Sequence, residues 1–160
     1  MQVRRSDQVA GLSDIRGNPV IDRGIVIATG NSGRTVGIDL RTGARVWDAD
    51  LGGIDMPWVA GDFVFVLSTD SELVCLTRRD GRVRWVASLG RWKDEAKKRD
   101  PLFWSGPVLA GGRLWFVNSL GQYYSAAVED GVPTYAGTVE APVTLAPVVA
   151  NNTMYLLDDS

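Results

Sequence analysis

Residues 40–47, LRTGARVW, return as residues 78–85, RRDGRVRW, and once more in weakened form as residues 128–135, VEDGVPTY. In each copy a glycine (Gly43, Gly81, Gly131) precedes a large aromatic (Trp47, Trp85, Tyr135) by four positions. A glycine before a strand-like run marks a turn, and a motif that recurs marks a repeat architecture. Working outward, four Pro-led stretches set the register: PVID from Pro19, PWVAG from Pro57, PVLAGG from Pro107 and PVVANN from Pro147. From each of the first three prolines, 24 residues onward lies the glycine and 28 residues onward the aromatic.

The grammar inside each unit is also shared. An apolar run (IVIA, FVFVL, LWFV, MYLL) follows the Pro-led stretch, then in the first three units a second run (TVGIDL, LVCLT, YYSAAV), then the Gly turn and the strand with the aromatic. These runs are short, rich in β-branched and aromatic residues and bounded by Gly, Asn, Asp and Ser, so they predict strands. The turns DRG, AGD, AGGR and ANN supply residues that tolerate positive φ, as tight hairpins require. No window shows an apolar helical period.

A unit of about 40 residues and four strands is a propeller blade. The expectation is an all-β fold, a partial β-propeller of about three four-stranded blades plus the start of a fourth. The expected division is a lead-in over 1–16, blades over 17–54, 55–90 and 105–144, an inserted loop over 91–104, and a truncated blade over 145–160. Each blade must bury its face against the next, so Trp47, Trp85 and Tyr135 are expected to pack in the seams.

The insertion, RWKDEAKKRDPLFW, breaks the spacing and is strongly charged. On a regular scaffold such a loop is a candidate partner surface, with Trp92, Lys97 and Lys98 the side chains to watch. Trp92, Phe103 and Trp104 flank it and are expected to pin it to the body.

Composition narrows the chemistry. The 160 residues are 45% hydrophobic, 22% charged and carry a net charge of −2, the balance of a folded chain and not of a phosphate-binding one. There is no histidine, which removes the usual general base and the commonest metal ligand. One cysteine, Cys75, excludes an internal disulfide or a Cys cluster. It aligns with Gly37 and Ser125, a small-residue position in a strand, and reads as a buried hydrophobe. No apolar run is long enough for a membrane helix, and the N-terminus lacks the apolar core of a secretory signal.

Trp47-Asp48 is the one WD dipeptide, and no Gly-His accompanies it, so the repeat is not of the WD type. The turn glycine followed by a docking tryptophan instead resembles the quinoprotein-type, or PQQ-like, propeller repeat. Within it, LSDIRGNPVIDRG (residues 12–24), VGIDLRTGARVW (36–47), STDSELVCLTRRDGRVRW (68–85) and WSGPVLAGGRLWFV (104–117) resemble, in their order, the C-terminal portion of the BamB family of outer-membrane protein assembly factors.

That resemblance implies a non-enzymatic, cofactor-free scaffold at the periplasmic face of the outer membrane, its signal and lipid anchor lying outside this chain. The implied partners are the periplasmic domains of a BamA-like barrel insertase and unfolded outer-membrane proteins, with no nucleic acid. Open blade edges could also pair copies of the chain. In the family, partner contact involves an acidic Leu-Ser-Asp-x-Asp stretch; here Asp14 matches it, while Arg16 reverses the second charge. Two other readings stand beside this one. A fragment of a PQQ-dependent dehydrogenase would need calcium and a catalytic carboxylate, and often an adjacent cysteine pair. Asp39, Asp70, Asp80, Glu129 and Asp130 look instead like turn residues. A generic protein-interaction propeller is the third.

Overall fold

The computed structural model describes Ile15 and residues 17–53, 55–151 and 153–157. Among the described residues there are sixteen strands and no helix. The first antiparallel sheet runs β1 (Val20–Asp22), β2 (Ile25–Gly30), β3 (Arg34–Asp39) and β4 (Arg45–Ala49) in chain order. The second repeats this with β5 (Trp58–Ala60), β6 (Phe63–Leu67), β7 (Glu72–Thr77) and β8 (Val83–Ser88). A small hairpin follows, β9 (Trp92–Asp94) and β10 (Arg99–Pro101). The third four-stranded sheet is β11 (Trp104–Ala110), β12 (Arg113–Asn118), β13 (Gln122–Ala127) and β14 (Pro133–Thr138). Two further strands, β15 (Val148–Ala150) and β16 (Thr153–Tyr155), pair with each other.

Each sheet is an up-and-down meander because its strands are joined by turns too short for a crossover. The first turn of each unit demands left-handed backbone: Arg23, Gly24, Gly61, Gly111, Gly112 and Asn151 all have positive φ. The third turn is one structure used three times. Gly43, Gly81 and Gly131 each donate their N–H to the carbonyl four residues back, at 2.8, 2.9 and 3.0 Å. Asp39 accepts from the Thr42 amide and hydroxyl in the first copy. In the second, Thr77 donates its hydroxyl to Asp80, so acid and hydroxyl have exchanged ends of the same turn.

The inner strands β1, β5, β11 and β15 lie side by side, so the sheets form an arc about a common axis. Apolar side chains fill the seams. Ile27 and Trp47 of the first sheet meet Val64, Val66, Val74 and Leu76 of the second. The other face of the second sheet, with Phe65, Leu73 and Cys75, meets Leu114, Phe116 and Ala126 of the third. Strands buried on both faces read as unbroken apolar runs, which is why FVFVL and LVCLT show no alternation.

The first seam also holds an ionic link. Arg78, whose side chain is 12% exposed, reaches back from the second sheet to Asp22 of the first at 3.2 Å and to Asp62 at 3.5 Å. Its backbone carbonyl accepts the Trp47 indole N–H at 2.8 Å. Arg78→Ala is expected to destabilise the chain by about 2 kcal/mol, because the half-buried Asp22 carboxylate loses its cation. Arg78→Lys should recover only part, since one ammonium cannot reproduce the guanidinium fork. Urea denaturation of both variants checks this, and an unchanged midpoint would show the link to be idle.

Candidate functional site

The docking tryptophans show how each repeat motif engages the next. Trp47 is 6% exposed, and its ring lies over the backbone of Gly81, where a Cβ would overlap it. Trp85 does the same over Gly131 and donates its N–H to the Val128 carbonyl at 3.0 Å. The aromatic of one unit therefore rests on the turn glycine of the unit after it.

Tyr135 departs from the expected seam packing. It is 55% exposed, and its ring sits edge-on to Tyr124 at 5.6 Å. The cause is a shifted bulge. Trp47 pairs with Gly37 and Trp85 with Cys75, each directly after the extra residue of a bulge. In β14 the irregularity falls after Tyr135, which pairs with Tyr124 and not with Ser125. A one-residue displacement turns a side chain to the other face of the sheet.

The inserted segment is built around a hairpin tied down at both ends. The Glu95 carboxylate accepts the amides of Arg91 and Trp92, at 2.7 and 3.1 Å. Arg91 bonds the Asp70 carbonyl and carboxylate of the second sheet. Trp104 donates to the Gly90 carbonyl at 2.7 Å and packs its ring on Phe116 and Tyr124. Trp104 is thus the pin. Phe103 is not, being 65% exposed, and Trp92 is half-buried opposite Pro101.

The hairpin presents Lys93, Lys97, Lys98 and Arg99. Lys97 pairs with Asp94 at 3.6 Å, while Lys93, Lys98 and Arg99 are exposed and form no ion pair among the described residues. Asp14 and Arg16 lie outside the described residues.

The carboxylates serve the fold. Asp39 is held below the ordinary carboxylate range by the Thr42 hydroxyl and amide, and Asp80 likewise by Thr77 and the Arg82 amide. Asp130 caps the Val132 amide at 3.0 Å, and Asp70 pairs with Arg91. Among the described residues no three carboxylate or thiol groups converge as metal ligands. Cys75 is buried, and burial pushes its thiol up to about 11, which makes it a poor nucleophile. Sequence reasoning missed the Asp22–Arg78–Asp62 link; its only trace is that arginine replaces Leu40 at the corresponding turn position.

An arc of up-and-down sheets, joined through tryptophans docked on turn glycines, defines a partial β-propeller built from PQQ-like repeats. Known proteins agree. A family model described as outer membrane protein assembly factor BamB matches residues 2–87, and the chain belongs to that family. It is 28% identical over 130 residues to the BamB of Escherichia coli (strain K12), covering 81% of this chain and 31% of that protein. The chain thus spans about a third of that relative's length. The crystal structure of BamB from Moraxella catarrhalis superposes with a TM-score of 0.75 at 21% identity, over 90% of this chain and 40% of that one. A quinohemoprotein alcohol dehydrogenase from Comamonas testosteroni shares the fold more loosely, with a TM-score of 0.60 at 19% identity over 76% of this chain and 21% of that one.

Proposed function

We propose that this chain is a non-enzymatic, protein-binding part of an outer-membrane protein assembly factor, acting at the periplasmic face of the outer membrane. The observation that carries the reading is the family match over residues 2–87. The employment of the carboxylates Asp39, Asp70, Asp80 and Asp130 in turns and ion pairs also favours it over the dehydrogenase alternative. The partners in this reading are the periplasmic domains of a BamA-like barrel insertase.

The contact surface we favour combines the basic hairpin β9–β10, through Trp92, Lys97 and Lys98, with the stretch that carries Asp14 and Arg16. Support for the hairpin is physical. It is fixed at its base by Trp104 and Arg91, and beside Lys97, which pairs with Asp94, it offers Lys93, Lys98 and Arg99, which form no ion pair among the described residues. Exposed charges of this kind chiefly set encounter rate and orientation.

Calorimetry with the insertase domains of the same organism tests the reading, with circular dichroism as the control for folding. Saturable binding is expected, weakened roughly tenfold by the paired change Lys97→Glu and Lys98→Glu, with a shallower salt dependence. Asp14→Lys should act in the same direction. A folded chain that does not bind the domains would overturn the reading. Binding that ignores all three substitutions would overturn the assignment of the surface alone.

A further inference from the structure

Pro57 and Pro147, directly before β5 and β15, and Pro107, within β11, mark where three inner strands converge. Their surroundings line a cleft, open to solvent, of about 600 Å3, within the range that holds small organic ligands. Its walls come from three successive units: Met56 and Trp58, then Val108, then Leu145 and Val148. Met56, Leu145 and Val148 are 42%, 54% and 55% exposed, so the lining is apolar surface left open to solvent. One charged side chain stands among them, Asp55.

Asp55 precedes Pro57 by two residues, where the corresponding positions carry Ser105 and Leu145. The Ser105 hydroxyl is occupied, donating to the Thr144 carbonyl at 2.9 Å. Asp55 Oδ2 accepts the Gly106 amide at 2.9 Å, which fixes the carboxylate across the second seam. Its Oδ1 has no hydrogen bond or ion pair among the described residues. Burial raises the Asp55 carboxyl above its ordinary range against the opposing effect of the Gly106 amide. A carboxylate set in apolar walls without a cation is poorly compensated, and gains most from a cation that brings its own apolar body.

We propose that this cleft binds a small organic cation, an apolar body carrying one ammonium or guanidinium group that donates to Asp55 Oδ1. The sign of the charge follows from Asp55 being the only charged lining residue. The apolar body follows from the walls, and the size from the volume. The site is independent of the partner surface on the hairpin.

The experiment is an NMR titration of the full chain with hexylamine, hexanol and hexanoate. Hexylamine is expected to bind saturably, shifting the amides of Asp55, Gly106 and Val148, and roughly tenfold more tightly than hexanol, with hexanoate weakest. Asp55→Asn keeps an acceptor for the Gly106 amide but loses the charge, and should reduce hexylamine to the affinity of hexanol. Val148→Lys, at an exposed wall, should weaken hexylamine selectively and decides the matter if Asp55→Asn disturbs the fold. Equal binding of all three probes, hexylamine binding indifferent to both variants, or no saturable binding to the folded chain would each overturn the proposal.

Discussion

Gly81→Ala and Gly131→Ala are each expected to destabilise the protein by about 3 kcal/mol or more, and Gly43→Ala by only about 1 kcal/mol. The three glycines hold the same place in the same turn, with φ of +71°, +68° and +68° for Gly43, Gly81 and Gly131. The left-handed backbone therefore strains an alanine about equally in all three. What differs is the neighbour. A Cβ on Gly81 would enter the ring of Trp47 and one on Gly131 the ring of Trp85, whereas around Gly43 nothing lies within 4 Å. Overpacking a filled contact adds about 1–3 kcal/mol to the shared strain. Urea denaturation of the three variants measures the difference. Three equal shifts would mean that the turn alone, and not the docked tryptophan, accounts for the conservation of geometry between units.

Much of the fold could be read from the sequence because a repeat states its rule several times. The distances from proline to glycine to aromatic carry the period, and the turn chemistry at Arg23, Gly61, Gly111 and Asn151 carries the hairpins. Local residue types determine such features, so local reading finds them. Tyr135 shows where this stops. Its spacing from Pro107 is the same as that of Trp47 from Pro19, yet the bulge in β14 falls just after the aromatic instead of just before it, which reverses the side on which it packs. Bulge position depends on how β14 lies against β13, and no residue type announces it.

The same boundary separates the visible from the hidden parts of the candidate sites. The inserted hairpin was conspicuous because it interrupts a period and concentrates charge. Which of its aromatics pins it was not, since Phe103 and Trp104 are adjacent and only the fold decides which of them turns inward. Arg78 and Asp22 are 56 positions apart and meet only because two units stack. No motif or spacing in the sequence singles out Asp55. Its significance arises from the convergence of segments around Pro57, Pro107 and Pro147, a property of the arc and not of any one unit.

Trp47→Ala should be the most damaging single substitution in the first seam, at about 4 kcal/mol. The ring is 6% exposed, fills the space above both Gly37 and Gly81, and packs with Ile27, Val64 and Val74. Truncation leaves a cavity in that cluster and removes the donor from the Arg78 carbonyl. Trp47→Phe retains most of the volume but not the N–H, and is expected to lose about 1–2 kcal/mol. The sharper prediction concerns the pair. With Trp47 already truncated, the Cβ introduced by Gly81→Ala meets empty space, so only the backbone strain of about 1 kcal/mol remains. The double variant should then be more stable than the sum of the single effects implies, by about 2 kcal/mol. Strict additivity would show that Trp47 and Gly81 act separately, and would remove docking of aromatic on glycine as the device that joins successive units. A coupling of the expected size would place that device at the contact itself, because no other change distinguishes the two backgrounds in which Gly81→Ala is measured.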